Sequence, residues 1–221
     1  MRKKYTIGID EVGRGCLAGP VVVCAALFTR GMKIHKKELG MLKDSKKLNP
    51  ALRERWFRHL KELPVAYSLS RVQPKTIDRI NISQAANLAA LRACKRLILN
   101  AGLKSGTFCV YLDGGLYLGR HRGSFLKDPA HSMDLTSSPR ASSGRIIART
   151  IIRGDEKIKV ISAASIFAKV SRDRFMKKLA KKYPKYGLEL HKGYGTKLHI
   201  KALKKHGASK IHRKTFIGGF S

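Results

Sequence analysis

The stretch Gly8-Ile-Asp-Glu-Val-Gly-Arg-Gly15 places two adjacent carboxylates, Asp10 and Glu11, at the end of an apolar segment and beside closely spaced glycines. Large apolar and small residues alternate over residues 5–10, which predicts a strand. The β-branched run at residues 20–28 predicts a neighbouring strand, and the glycines between the two runs predict a tight connection. The carboxylate pair is therefore expected at the carboxyl end of a strand within a sheet.

Strand and helix patterns continue along the rest of the chain. Asn49-Pro50 and Asn81 supply capping and first-turn residues that open helices, and Gly102 and Gly207 follow predicted helix ends. Further strands are predicted at residues 65–72, 107–112 and 146–152, long helices at residues 82–100 and 160–183, and a short helix at residues 196–206. Antiparallel strands followed by strands that alternate with helices predict an α/β protein. We expect a mixed five-stranded sheet flanked by helices, in one domain over residues 1–221.

The charge balance is the most extreme feature of the composition. The chain has 47 Lys and Arg against 14 Asp and Glu, a net charge of +33, and 43% of its residues are hydrophobic. That apolar fraction supports a packed core, which excludes a basic disordered tail. A field of this sign attracts polyanions, and nucleic acid is the commonest polyanionic partner. A membrane surface is the rival partner, but the sequence has no lipidation signal, basic amphipathic helix or membrane-spanning apolar run.

The four cysteines indicate a reducing compartment. They lie in apolar stretches without a Cys-x-x-Cys pair, at Cys16, Cys24, Cys94 and Cys109. We therefore expect buried, reduced thiols rather than a zinc site or disulfides. The first residues lead straight into a strand, so no signal peptide is expected. These features predict a cytoplasmic protein that binds nucleic acid, and we expect it to be a monomer.

Acidic residues are the informative minority in so basic a chain. Besides the first pair, Asp113 and Asp155 each follow a predicted apolar strand, whereas Asp173 is flanked by Arg172 and Arg174 and is expected to form a structural ion pair. Carboxylates gathered at one sheet edge repel one another unless a cation neutralises them, and such a cluster suits Mg²⁺. Two ions about 3.5–4 Å apart can drive phosphodiester hydrolysis. The alternative is that each Asp caps a helix or shapes a turn, which is a weaker explanation for the adjacent pair.

Adjacent carboxylates such as Asp10 and Glu11 can bind one metal site only under a geometric condition. Neighbouring residues of a continuous strand point to opposite faces of the sheet. Both carboxylates can reach one metal site only if the chain bends at this point, and Gly13 and Gly15 are suited to such a bend.

A series of short motifs extends over nearly the whole chain. It begins with Gly8-Ile-Asp-Glu-Val-Gly-Arg-Gly-Cys-Leu-Ala-Gly-Pro-Val-Val22. It continues with Asp44-Ser-Lys-Lys-Leu48, Asn81-Ile-Ser-Gln-Ala85, Leu112-Asp-Gly114, Ile152-Arg-Gly-Asp155, Ile161-Ser-Ala-Ala-Ser-Ile-Phe-Ala-Lys-Val-Ser-Arg-Asp173, Tyr183-Pro-Lys-Tyr-Gly187, His191-Lys-Gly-Tyr-Gly-Thr196 and His212-Arg-Lys-Thr-Phe216. Each block alone is a weak signal. In this order they closely resemble the type 2 ribonuclease H family, ribonuclease HII.

The resemblance implies a ribonuclease H-like fold and a nuclease activity. Four residues match the family's catalytic and metal-binding carboxylates: Asp10, Glu11, Asp113 and Asp155. In the family these carboxylates bind Mg²⁺ or Mn²⁺, and a two-ion site is expected. The family cleaves the RNA strand of RNA–DNA hybrids and cuts 5′ to ribonucleotides embedded in duplex DNA, leaving a 3′-hydroxyl and a 5′-phosphate.

The resemblance also assigns substrate contacts. Gly13, Arg14 and Gly15 match the family's ribonucleotide-sensing loop, whose backbone approaches the 2′-hydroxyl group. Tyr194 matches a tyrosine that packs against the sugar at the RNA-to-DNA junction, with a core aromatic in a glycine turn as the alternative. Phosphate contacts are expected from Lys46, Lys47 and Lys192. Many other lysines of this chain could make the same kind of contact.

Two residues and one segment depart from the family pattern. Gly115 stands where the family often has asparagine. Cys16 stands where the family commonly has proline, a change that a turn tolerates. The span from Asp113 to Asp155 is longer than usual. We interpret residues 119–145, rich in Gly, Ser, His and Arg, as a flexible insertion that contacts nucleic acid. Residues 184–221 are expected to form a helical carboxyl-terminal region.

Three other classes of protein share part of this pattern. A structural RNA-binding protein explains the charge but not the scarce carboxylates at three strand ends. A transposase- or resolvase-type nuclease would share the acidic cluster but not the Gly-Arg-Gly loop. Type 3 ribonuclease H typically has a different loop and an extra amino-terminal domain. Whether a sliding clamp binds residues 217–220 is open, with a frayed chain end as the favoured interpretation.

Overall fold

The computed structural model describes residues 4–29, 32, 34, 39–40, 42, 48–103, 106–118, 131–133 and 145–219. The strands within them are β1 (Lys4–Val12), β2 (Val21–Phe28), β3 (Ala66–Val72), β4 (Thr107–Asp113), β5 (His131–Met133) and β6 (Arg145–Ile151). They form one sheet in the order β3-β2-β1-β4-β6-β5. β1, which carries Asp10 and Glu11, therefore lies in the interior of the sheet.

The sheet is mixed, which confirms the predicted fold class. β2 pairs antiparallel with both β1 and β3, and β4 pairs in parallel with both β1 and β6. The five strands predicted from the sequence correspond to β1–β4 and β6. The three-residue β5 pairs antiparallel with β6 at the edge and comes from within residues 119–145, where no strand was predicted. Residues 119–130 and 134–144 lie outside the described residues, so the flexibility of this segment stays a prediction.

Helices cover both faces of the sheet. They are α1 (Pro50–Glu62), α2 (Pro74–Ile80), α3 (Ile82–Asn100), α4 (Gly154–Lys157), α5 (Lys159–Lys182), α6 (Leu188–His191), α7 (Lys197–His206) and α8 (Lys214–Ile217), with a 3₁₀ turn at Pro184–Tyr186. The two long helices predicted from the sequence are α3 and α5, and the predicted short helix at residues 196–206 is α7. The single turn α4 was not predicted, because four residues are too few to show a helical period.

Asparagine caps explain where two of these helices begin. The Asn49 side chain accepts a hydrogen bond from the Leu52 amide at 2.8 Å, and the Asn81 side chain accepts one from the Gln84 amide at 3.0 Å. Each bond satisfies an amide that has no partner within its own helix. The cap at Asn49 and the helix start at Asn81 were predicted, and the two caps fix where α1 and α3 begin beside the sheet.

Two apolar layers hold the helices against the sheet. On one face, residues such as Ile9 pack with the alanine-rich side of α3, including Ala86. On the other face, Ala26 packs with Trp56 of α1 and Phe167 of α5. All five side chains are fully buried. α5 lies on the face of the sheet that carries Ala26. Its polar residues near the carboxyl end of β1 therefore come close to Asp10.

Gly8 sets the distance between β1 and α5. A Cβ atom at this position would overlap the backbone of Val160 in the first turn of α5. Only glycine allows so close an approach. The contact holds the amino-terminal end of α5, and the turn before it, against the strand that carries Asp10.

The carboxyl-terminal part of the chain is helical, as expected, and forms a third apolar cluster. Leu188, Leu203 and Ile217 pack there with Met176 of α5 and with Leu17 from the β1–β2 connection. The four cysteines are free thiols; three of them are buried, as expected, whereas Cys109 is half-buried. Within the described part of the chain, no helix is long and apolar enough to cross a membrane.

Candidate active site

The register of the parallel strands brings Asp10 and Asp113 together. β1 and β4 run in parallel with Ile9 opposite Leu112, so the next residues, Asp10 and Asp113, lie side by side at the carboxyl end of the sheet. Residues at matched positions of neighbouring strands share a face. Both carboxylates therefore lie on the face that α5 covers.

Asp155 reaches this position through a turn after β6. Arg153 adopts a left-handed conformation with φ 55°, which reverses the chain into α4. The Gly154 amide donates to Asp113 Oδ1 at 2.6 Å, and the Ser162 hydroxyl donates to the Asp155 carbonyl at 2.6 Å. These bonds tie the turn both to β4 and to α5, so the placement of Asp155 depends on two elements beyond its own.

Asp10, Asp113 and Asp155 form a compact carboxylate group. Each offers an oxygen, and these oxygens lie within 4.8 Å of one another. Asp10 and Asp155 are only 2% and 3% exposed. Burial raises the pKa of Asp10 well above its usual value, and the neighbouring charge of Glu11 raises it further, while a hydrogen bond from Ser165 opposes the shift. Three hard oxygen donors at this spacing fit a divalent cation such as Mg²⁺ or Mn²⁺.

Glu11 lies beside this group rather than within it. β1 stays paired with β2 through Val12, so the bend anticipated at Asp10-Glu11 comes later, at Gly13, where φ is +84°. Glu11 Oε1 lies 3.6 Å from the Arg14 guanidinium. The structure thus gathers three of the four predicted carboxylates and leaves Glu11 at the border of the adjoining cleft.

A cleft of about 430 Å³ opens next to the carboxylates. Its lining residues are Glu11, Val12, Gly13, Arg14, Gly15, Arg53, Ser165, Lys169 and Tyr194. The set contains four of the predicted substrate-contacting residues and three cations. A carboxylate group beside a cationic cleft suits a ligand that carries phosphates.

Three lining residues were missed in the sequence. Arg53 comes from α1, and Ser165 and Lys169 come from α5. Asp173, predicted to make a structural ion pair, lies 3.5 Å from Arg53 and 3.1 Å from Lys169, which confirms that prediction with different partners. The sequence did contain a signal for the two residues of α5. Ser165, Lys169 and Asp173 recur at a spacing of four within a largely apolar helix, which places them on one side of it.

The two glycines of the Gly-Arg-Gly loop have different surroundings. At Gly13 a Cβ atom would overlap the guanidinium of Arg172, and φ is +84°. At Gly15 a Cβ atom would meet nothing within 4 Å. Gly13 is therefore required by the packing of the protein itself, whereas the space beside Gly15 is open to the cleft.

Tyr194 is not a core aromatic. Its side chain is 38% exposed, and its ring borders the cleft with Lys169 and Arg172 at 5.6 Å and 5.8 Å from the ring centroid. The backbone forms a bridge with Cys16 of the β1–β2 connection. Tyr194 and the Gly-Arg-Gly loop therefore belong to one hydrogen-bonded unit.

A buried chain of histidines supports the Tyr194 backbone. His199 Nδ1–H donates to the Tyr194 carbonyl at 2.9 Å, which leaves His199 Nε2 to accept from His212 Nε2–H at 3.2 Å. The Ser209 amide donates to His212 Nδ1 at 3.0 Å. Burial, together with the neighbouring His191 and His212, lowers the pKa of His199 to about 4. The chain is complete only when these rings are neutral.

None of the three predicted lysine contacts with phosphate is tested by the structure. The Lys192 ammonium donates to the Glu189 carbonyl, and burial lowers its pKa. It is not among the residues that line the cleft. Lys46 and Lys47 lie outside the described residues. The three phosphate contacts stay predictions.

Comparisons with known proteins agree with this geometry. A family model described as Ribonuclease HII matches residues 7–218. Ribonuclease HII of Bacillus mycoides (strain KBAB4) is 42% identical over 212 residues, which cover 96% of this chain and 68% of that protein. Ribonuclease HII of Bacillus thuringiensis (strain Al Hakam) has the same identity and coverage.

Solved structures share the architecture. Ribonuclease H2 from Pyrococcus horikoshii OT3 superposes with a TM-score of 0.66 at 26% identity, covering 98% of this chain and 96% of that one. RNase HII from Archaeoglobus fulgidus, solved in a complex with PCNA, gives a TM-score of 0.65 at 25% identity, covering 95% and 93%. Bst-RNase HIII in complex with Mn²⁺ is similar in fold alone, with a TM-score of 0.67 at 22% identity over 96% of this chain and 67% of that one.

Proposed function

This chain belongs to the ribonuclease HII family and is a ribonuclease H, and on that premise we propose that it cleaves the RNA strand of RNA–DNA hybrids and cuts 5′ to ribonucleotides embedded in duplex DNA. The products of this hydrolysis are a 3′-hydroxyl and a 5′-phosphate. We also propose a cytoplasmic location and a monomeric state for the enzyme.

The observation that carries the proposal is the convergence of Asp10, Asp113 and Asp155 at the carboxyl end of the parallel strands. We assign metal binding to these three residues together with Glu11, which is close enough for its charge to act on Asp10. Two divalent ions bound there would supply an activated water and stabilise the leaving oxygen. Ser165 holds the Asp10 carboxylate through a hydrogen bond, which orients it toward the group.

The cleft beside the carboxylates is the proposed binding site for the substrate strand. Arg14, Arg53 and Lys169 line it and would neutralise backbone phosphates. The open space at Gly15 lets a ribose approach the backbone, where the 2′-hydroxyl separates RNA from DNA. The partly exposed Tyr194 ring offers a flat surface for the neighbouring sugar.

A protein partner is a separate part of the proposal. The Archaeoglobus fulgidus relative was solved with PCNA, so a sliding clamp is a candidate partner here as well. Ile217, at the start of the candidate docking segment, is only 7% exposed and packs in the carboxyl-terminal cluster. A clamp contact would therefore use residues beyond Ile217.

The proposed activity is tested with a DNA duplex that contains one ribonucleotide. We expect a single cut on the 5′ side of that nucleotide in Mg²⁺ or Mn²⁺, none in EDTA, and none in an all-DNA duplex. Asp10→Asn should abolish the cut and retain duplex binding. Tight binding without cleavage by the wild-type protein in either metal would show a binding protein and refute the proposal.

A further inference from the structure

Arg213 is a fully buried arginine that binds the backbone of the Gly-Arg-Gly loop. Its guanidinium donates to the carbonyl of Gly13 at 2.6 Å and to that of Arg14 at 2.7 Å. It also donates through Nε to the Gly19 carbonyl at 3.1 Å. One side chain thus binds both ends of the connection between β1 and β2, from a position about 200 residues further along the chain.

The backbone of Arg213 is fixed against the same connection. Its amide donates to the Leu17 carbonyl at 2.8 Å, and the Gly19 amide donates to the Ile211 carbonyl at 2.9 Å. Ala18 forms a backbone bridge with His212. Because main chain and side chain are both bound, the guanidinium has little freedom to follow a displaced loop.

The positive charge of Arg213 is stabilised mainly by hydrogen bonds to backbone carbonyls. Among the described residues, no carboxylate lies within ion-pair distance of its guanidinium. Burial lowers its pKa to about 10, so the group still carries its proton at neutral pH. A buried charge costs free energy unless hydrogen bonds compensate it. Here the guanidinium supplies donors to three carbonyls of the β1–β2 connection at once, which an apolar side chain of similar size could not do.

Arg172 holds the other side of the same unit. It donates to the carbonyls of Ala18 and Pro20 at 3.2 Å each, and to the Lys192 carbonyl at 2.9 Å. It therefore binds the far end of the β1–β2 connection to the segment that carries Tyr194. The Gly-Arg-Gly loop itself is bound by Arg213.

We infer that Arg213 is a positioning residue for ribonucleotide recognition, which holds the Gly13 and Arg14 carbonyls so that the loop presents a fixed backbone surface to the ribose. This inference rests on the proposed function. It assigns to the carboxyl-terminal segment a role in turnover at the embedded ribonucleotide rather than in overall duplex affinity. Arg213 acts through the loop and does not touch the reacting atoms.

The test compares Arg213→Lys and Arg213→Met with the wild-type enzyme on a duplex holding one ribonucleotide. Lysine keeps the charge but cannot bind three carbonyls in a planar fork, and methionine removes the charge. We expect kcat to fall about 100-fold for Arg213→Met, as for a loop misplaced by about 1 Å. Arg213→Lys should recover part of that loss. The Kd for the duplex should stay within about twofold, because phosphate contacts dominate affinity.

Leu97→Ala is the matched control. Leu97 is buried in the α3 layer and belongs to a different apolar cluster from the loop. Its truncation lowers Tm by creating a cavity. At a temperature well below both melting points, Leu97→Ala should keep the wild-type kcat while the Arg213 variants do not. Equal loss of kcat at equal loss of Tm would overturn the positioning role.

A measurement on the unmodified enzyme covers the case in which the Arg213 variants do not fold. Hydrogen–deuterium exchange at the Leu17 and Gly19 amides, which donate to the Gly193 and Ile211 carbonyls, should be slow in the free wild-type protein. Fast exchange at Gly19 would show that the segment carrying Arg213 does not hold the connection between β1 and β2, and would refute the inference. If the wild-type protein fails to cut at the ribonucleotide, the proposed function fails first, so the two failures are distinguishable.

Discussion

The carboxylate group and the Gly-Arg-Gly loop lie side by side, yet the chain holds them in place by different means. Asp10 and Asp113 are positioned by the ladder between β1 and β4, where each backbone bond is local to a strand pair. Gly13 and Arg14 lie beyond the strand and are bound by a side chain from the far end of the chain. The chemical centre therefore depends on the sheet, and the substrate-contacting surface depends on the carboxyl-terminal segment.

This difference separates two kinds of failure. Substitution of a residue in the carboxylate group should abolish catalysis in a folded protein that still binds duplex. Damage to the loop or its supports should reduce turnover at the ribonucleotide without removing the metal site. Variants of the carboxylate group and variants of the loop should therefore differ in metal binding and in turnover at the ribonucleotide.

Asp155→Asn should have the largest effect. Asp155 belongs to the carboxylate group, so loss of its charge should lower kcat by about 1,000-fold or more. Calorimetric titration with Mn²⁺ should show weaker binding, with duplex affinity retained. Glu54→Gln, which breaks an exposed ion pair with Arg174, is the control and should leave both unchanged. Near wild-type turnover by Asp155→Asn would remove this residue from the metal site.

Gly15→Ala and Gly13→Ala should separate substrate contact from packing. Gly15→Ala meets open space, so Tm should hold while kcat/KM on the embedded ribonucleotide falls about 100-fold because the methyl occupies the approach of the ribose. Gly13→Ala should lower stability by about 2 kcal/mol, because its φ of +84° is strained for alanine and its methyl overlaps Arg172. Calorimetry and steady-state kinetics measure the pair. A stable, active Gly13→Ala would contradict the packing argument.

The histidine chain should make stability depend on pH. The pKa of His199 is about 4 in the folded protein against 6.5 ordinarily, so the unfolded chain binds more protons between those values. Its contribution is fully present above pH 6.5 and is lost as pH falls toward 4. The loss is on the order of 2–3 kcal/mol.

Urea unfolding at pH 7.5 and pH 4.5 measures this effect. His199→Gln should flatten the pH dependence, whereas His206→Gln, at an exposed position of the same helix, should keep it. An unchanged slope in His199→Gln would show that other groups carry the pH dependence.

Arg53→Gln should have the smallest effect. Arg53 lines the cleft, so its loss should weaken duplex binding about 5-fold and lower the slope of log K against log salt by about 0.9, one phosphate contact. Arg58→Gln lies on the same helix at an exposed position away from the cleft and serves as control. Equal losses in the two variants would mean that net charge, rather than the cleft, sets affinity.

Much of the fold was accessible from the sequence because its signals are local. The alternation at β1, the apolar run of β2 and the caps at Asn49 and Asn81 each depend on a few adjacent residues. The carboxylates at strand ends were predictable for the same reason. The short strand β5 and the single-turn helix α4 were missed, since three or four residues carry no measurable period.

The sequence alone determined that this basic chain forms a mixed α/β sheet and that Asp10, Asp113 and Asp155 lie near the ends of strands. It could do so because apolar periodicity and the glycine, proline and asparagine signals at element ends act over short distances. Tertiary structure alone decided that Glu11 stands at the border of the carboxylate group, because strand pairing continues through Val12. It also decided that Arg213 holds the Gly-Arg-Gly loop. Contacts between residues so far apart in the chain leave no periodic trace, and they exist only once the sheet and the carboxyl-terminal segment have packed together.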